Sequence, residues 1–181
     1  MKAIKLSNRY AKSLADIALK NNAMDATLQD MKLVLEACKS ISELRQLLRS
    51  PIIKTKKKIK IIQEIFSKRI SATTLNFIEM ITVKKREAFL QTIAESFIVI
   101  YKRINQIETV TVTSVNPLEQ DYKERLIAEV KKTGCKKVEL IEKTSSDLIG
   151  GVIIKYGDKQ IDASIKTKIN RLKKTLSKNI I

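Results

Sequence analysis

Histidine and tryptophan are both missing from this 181-residue chain. Without imidazole, the side chain that most often serves as general base near neutral pH, and the commonest metal ligand, is unavailable. The acidic residues are scattered over helical faces with no converging pair, so no catalytic residue, metal set or cofactor site is expected. Four glycines and two prolines leave too little turn chemistry for an all-β architecture. They form neither G-x-G-x-x-G nor G-x-x-x-x-G-K-[ST], which excludes the common phosphate cradles. Two cysteines, Cys38 and Cys135, have no C-x-x-C partner and no secretory signal beside them, which points to a reduced cytoplasmic compartment without a structural disulfide. No apolar run approaches the roughly 18 residues that span a bilayer. The basic, amphipathic first twenty residues contain Asp16 and lead straight into further helical sequence, unlike a transit peptide.

Acidic residues are scarce beside basic ones: 19 against 36, a net charge of +17. The excess is uneven, with 21 basic against 9 acidic residues up to Ile104 and 15 against 10 beyond it. Such a charge favours acidic partners in general, whether protein, lipid or nucleic acid. A single-stranded nucleic-acid site also needs stacking platforms, whereas Phe66, Phe77, Phe89, Phe97 and Tyr101 fall on apolar helical stripes and read as core. The cluster Lys54, Lys56, Lys57, Lys58 and Lys60 reads as a solvated helix face, with a nucleic-acid patch as the minor alternative.

Helical periodicity fills the first 104 residues. Ile4–Lys20 places Leu6, Tyr10, Leu14 and Ile17 on one stripe and Ile4, Ala11, Ala15 and Ala18 on the next. Together they cover about half the circumference, more than the ~100° of a helix packed on one side. Either the same domain covers the alanine stripe, or its small side chains admit a helix from another chain. Helices are expected over Ala23–Ser40, Ile41–Leu48 (ended by Ser50-Pro51), Lys54–Phe66, Ser71–Val83 and Ala88–Ile104. Ser71–Val83 carries Leu75, Phe77, Ile78, Met80 and Ile81 nearly all round, which predicts burial on several sides. The fold class expected is mainly α: a six-helix bundle over 1–104 and a small α/β domain over 105–181.

Past Ile104 the period changes to two. Thr109–Val115 and Lys137–Ile141 read as strands. Between them Asn116-Pro117-Leu118-Glu119 reads as an N-cap, a first-turn proline and a capping-box glutamate, launching a helix that ends near Gly134. Val152–Tyr156 and Lys159–Ala163 flank Gly157-Asp158, a two-residue hairpin loop. Counting outward pairs Tyr156 with Lys159, Ile154 with Ile161 and Val152 with Ala163. Asp162 or Ser164 then caps a helix whose Ile165, Ile169, Leu172 and Leu176 recur three or four apart.

Asp147-Leu148-Ile149-Gly150-Gly151, Ile154, Gly157-Asp158, Asp162-x-Ser164-Ile165 and Leu172 together resemble the C-terminal signature of the delta subunits of F-type ATP synthases, the oligomycin-sensitivity-conferring protein of mitochondria. Arg9-Tyr10-Ala11-x-x-Leu14, Leu48-x-Ser50-Pro51-x-Ile53 with Lys57, Asn76-Phe77-Ile78, Arg86 and Ile93-x-x-x-Phe97 resemble the N-terminal pattern of that family, in the same order. Ser145 departs from it, standing where many members carry an acidic or amide residue.

The resemblance implies a non-catalytic stator subunit without cofactor, linking the catalytic head to the peripheral stalk. It implies a peripheral position at the cytoplasmic face of the cell membrane. It also implies that the first and fifth helices receive the N-terminal helix of the alpha subunit, the expected contacts being Ile4, Ala11, Ala15, Ala18, Phe77, Met80 and Ile81. On that expectation, Ala11→Glu or Ala15→Glu would fold yet lose the contact. The second domain is expected to bind the C-terminal region of the b subunit, with Lys166, Lys168, Arg171, Lys173 and Lys174 as candidate contacts. The signature residues Asp147, Gly150, Gly151, Gly157, Asp158, Asp162 and Ser164 are expected to be structural. A basic nucleic-acid-binding module is the alternative.

Overall fold

The computed structural model describes residues 2–131, 134–146, 148–157 and 159–178, the side chains of 2, 3 and 172–178 excepted. The chain divides into two compact units, Met1–Lys102 and Arg103–Ile181.

The first unit holds α1 (Lys2–Lys20), α2 (Met24–Ser40), α3 (Ser42–Arg49), α4 (Thr55–Phe66), α5 (Ala72–Val83), a 3-10 turn (Glu87–Phe89) and α6, which starts at Leu90 and runs on to Ile104. Its apolar side chains gather into two clusters. Ala11, Leu14, Leu28, Met31, Phe77, Ile81, Ile93 and Phe97 join α1, α2, α5 and α6. Val34, Cys38, Leu44, Leu48, Ile62, Phe66 and Ile78 join α2, α3, α4 and α5. Both clusters draw on α5, which is why its sequence is apolar almost all round. Burial pushes the Cys38 thiol up to about 11, so it stays a protonated packing group.

The second unit is built on β1 (Ile107–Ser114), α7 (Gln120–Lys131), β2 (Lys137–Thr144), β3 (Val152–Tyr156), β4 (Lys159–Asp162) and α8 (Ile165–Lys178). Its sheet order is β2-β1-β3-β4. β1 pairs with β2 in parallel across the α7 crossover and with β3 antiparallel. Val110 and Val112 of β1 are fully buried, and Val130, Leu126, Leu140 and Ile154 pack with them. Thr109, Thr111 and Thr113 alternate onto the opposite face.

Hairpin pairings agree with the residue count outward from Gly157: Tyr156 with Lys159, Lys155 with Gln160, Ile154 with Ile161 and Ile153 with Asp162. β4 ends at Asp162, and beyond it the Ala163 amide still donates to the Val152 carbonyl at 3.0 Å. The capping box expected at Asn116 is absent. α7 begins only at Gln120, the Ser114 hydroxyl donates to the Asn116 carbonyl at 2.6 Å, and the Glu119 carbonyl accepts the amide of Lys123 at 3.2 Å. A local side-chain bond thus holds Asn116 in a bend and delays the helix.

Candidate functional site

Around Gly150-Gly151 the family signature forms a tightly fitted entry to α8. Gly151 has φ +82°, and a Cβ there would lie 2.4 Å from the Ala163 carbonyl oxygen and 2.9 Å from Ser164 Cα. Only glycine combines that dihedral with that approach. The Gly150 carbonyl accepts the Ile165 amide at 2.9 Å, satisfying one of the free donors at the start of α8. Ser164 is buried, and its hydroxyl accepts the Thr167 amide at 3.2 Å. Asp162 accepts from the Ser164 amide at 2.9 Å and from the Thr167 hydroxyl at 2.9 Å. Hydrogen bonds from Ser164 and Thr167, with Arg171 nearby, hold its carboxyl below the usual carboxylate range. Gly157, at φ +52°, makes the hairpin turn. Asp147 and Asp158 lie outside the described residues. Gly150, Gly151, Asp162 and Ser164 thus meet at the start of α8, where their hydrogen bonds and close approach hold the backbone.

α8 presents Ile165 and Ile169, one turn apart, to solvent at 43% and 39% exposure. Leu172 and Leu176 continue that spacing in the sequence. Lys166, Lys168 and Arg171 are exposed on the same helix, and the side chains of Lys173 and Lys174 lie outside those described. The result is an apolar stripe with cations beside it.

In the first unit the alanine stripe is not a free surface. Ala11, Ala15 and Ala18 of α1 and Phe77 and Ile81 of α5 are buried, all but Ala18 within the cluster that joins α1, α2, α5 and α6. The small side chains serve close packing inside the bundle itself, and all five residues are covered in the chain on its own. Glutamate at Ala11 or Ala15 would place a charge in the core and disrupt the bundle. Of the seven expected contacts, Ile4 is 59% exposed and Met80 half-buried, and Val83 at the end of α5 is 62% exposed.

Two buried polar linkages went unanticipated. Lys58 sits four residues before Ile62 on the buried stripe of α4, so it leaves the lysine face to which the sequence reading assigned it. Its Nζ lies 2.5 Å from Glu87 Oε1 and donates to the Leu48 carbonyl at 3.1 Å. Asp30 of α2 accepts on Oδ2 from the Ser71 amide (3.0 Å), the Ser71 hydroxyl (2.6 Å) and the Thr74 hydroxyl (2.7 Å). The sequence signal for each was a charged residue in phase with buried apolar neighbours, Ile62 and Phe66 in one case, Val34 and Cys38 in the other.

Among the described residues no group of three or more His, Cys, Asp or Glu is placed to hold a metal, and no helix is long and apolar enough to cross a membrane. The family model for the ATP synthase delta (OSCP) subunit matches residues 6–176.

The chain belongs to the ATP synthase delta (OSCP) subunit family.

It is a non-catalytic subunit of ATP synthase, held peripheral to the membrane through that complex. It is 35% identical over 170 residues to ATP synthase subunit delta of Prochlorococcus marinus (strain MIT 9301), covering 93% of this chain and 94% of that protein. Subunit delta of Cytophaga hutchinsonii is 32% identical over 181 residues, covering 100% of this chain and 99% of its own length. The fold is also that of a chain in the Toxoplasma gondii mitochondrial ATP synthase hexamer, with TM-score 0.72, 22% identity and coverage of 94% of this chain and 97% of that one. In this delta-family chain α1, α5 and α8 each carry large apolar side chains in solvent, among them Ile4, Val83 and Ile165.

Proposed function

We propose that this subunit is the stator connector of the F-type ATP synthase, joining the catalytic head to the peripheral stalk at the cytoplasmic face of the membrane. In this reading, the first unit takes up the N-terminal helix of the alpha subunit along α1 and α5, and the second takes up the C-terminal region of b along α8. The observation that carries the reading is that each unit leaves apolar side chains in solvent on helices of a strongly basic chain, among them Ile4 and Val83 in the first and Ile165 and Ile169 in the second. An amphipathic helix with acidic flanks has the complementary chemistry.

Magnitudes favour two grips over one. Nanomolar attachment requires about 12 kcal/mol. A single docked helix supplies a few anchors at roughly 1.5–3 kcal/mol each, before the loss of translational and rotational freedom is subtracted. Two sites in one assembly raise each other's effective concentration, which holds a head that would otherwise turn with the rotor.

Ile4→Asp and Val83→Asp change exposed positions, so each variant is expected to keep wild-type circular dichroism. Each should bind a labelled peptide of the alpha N-terminal segment about 10- to 100-fold more weakly in fluorescence anisotropy. Unchanged affinity in both would remove α1 and α5 as the docking helices. The alternative, a basic nucleic-acid-binding module, is separated by salt. Apolar docking should change little between about 50 and 200 mM, whereas phosphate contacts lose orders of magnitude over that interval.

A further inference from the structure

We propose that Asp30 is a positioning residue for the alpha-subunit contact, because it caps α5 from outside that helix. The inference rests on the reading of α1 and α5 as the docking helices. The sequence of α5 holds it weakly: Thr73, Thr74, Ile78, Ile81, Thr82 and Val83 are all β-branched, and its first turn has no acidic residue. Its own N-cap is poor, since the Ser71 hydroxyl accepts the Thr74 amide only at 3.4 Å. The missing negative charge comes from α2. Asp30 places one carboxylate oxygen against the Ser71 amide, the Ser71 hydroxyl and the Thr74 hydroxyl, which joins α2 to the first turn of α5 across 41 and 44 residues of sequence.

Asp30 itself is buried and offers nothing to a partner. What it controls is where α5 begins relative to α2. α5 is one uninterrupted helix from Ala72 to Val83, so a slip of its first turn along α2 carries Met80 and Val83 with it, which the partner helix would meet. Three hydrogen bonds to one charged oxygen fix that placement more firmly than the apolar packing around it, which tolerates small slides.

The test uses the full chain and the labelled alpha N-terminal peptide, with denaturant stability measured on the same samples. Asp30→Asn keeps the size of the side chain but removes its charge and replaces an acceptor with a donor. It is expected to weaken peptide binding about tenfold under conditions where circular dichroism shows it fully folded. Cys38→Ala, on the same helix in the other apolar cluster, lowers stability without touching α5's cap and is expected to stay within twofold of wild type. Asp30→Glu, which restores the carboxylate, should recover part of the loss. Wild-type affinity in a folded Asp30→Asn protein, or an equal loss in Cys38→Ala, would overturn the positioning role. If the wild-type chain itself fails to bind the peptide, the docking assignment beneath the inference is what fails.

Discussion

Gly151→Ala should strongly destabilise the second unit and leave the first as stable as in wild type. The new methyl would stand 2.4 Å from the Ala163 carbonyl oxygen and 2.9 Å from Ser164 Cα, both backbone atoms that move only if the hairpin and the start of α8 move with them. A non-glycine residue at φ +82° adds backbone strain. Strain and overpacking together are expected to remove roughly 2–5 kcal/mol. A unit of this size holds only about 4–12 kcal/mol in total. The neighbouring glycine is the internal control. A Cβ at Gly150 meets the Cδ1 of Ile165 at 2.7 Å, the far end of a half-exposed side chain that can rotate away. Gly150→Ala should therefore keep the fold. Hydrogen exchange read by mass spectrometry distinguishes the outcomes: peptides from 103–178 should exchange faster than wild type in Gly151→Ala alone, with those from 2–102 as protected as in wild type. Full protection of both regions in Gly151→Ala would show that the glycine lock is not needed.

Lys58→Met should destabilise the first unit by about 3–5 kcal/mol, because it leaves Glu87 buried without its cation. Glu87 is already under-satisfied: its Oε1 meets Lys58, while Oε2 is buried with no hydrogen-bond partner. The Leu48 carbonyl at the end of α3 loses its donor as well. Removing both charges changes the balance. Lys58→Met with Glu87→Leu replaces the pair by apolar groups of similar size and should recover most of the loss, since desolvation of a buried pair offsets much of its attraction. Urea midpoints at constant slope measure both variants. A double mutant no better than Lys58→Met would mean that the pair contributes net stability, and that Lys58 does more than neutralise Glu87.

How much of this was legible beforehand depended on whether one stretch of sequence carried its own cause. The hairpin did: two β-prone runs around Gly157 admit one register, and the count outward from the loop gives the observed pairs. The all-round apolar character of α5 likewise announced its place between two clusters. The alanine stripe of α1 did not resolve itself, since small residues permit close approach to any helix, and the bundle's own helices cover it. The α7 start was misread because Asn116 satisfies capping chemistry on paper, while a hydroxyl two residues earlier holds its carbonyl in a bend. Lys58 and Asp30 depend on partners 29 and 41 residues away. Both lie in helical phase with buried apolar residues, yet Lys58 sits in a run of solvated lysines and nothing local names the group either would meet.

The connector role is tested most directly by asking whether this chain alone brings the head to the stalk. An affinity-tagged C-terminal segment of b is mixed with catalytic head lacking the delta subunit, with and without the full chain, at moderate salt. Recovery of head subunits on the tagged segment only when the chain is added is the predicted result. Equal recovery without it, or a chain retained by neither component, would contradict the account.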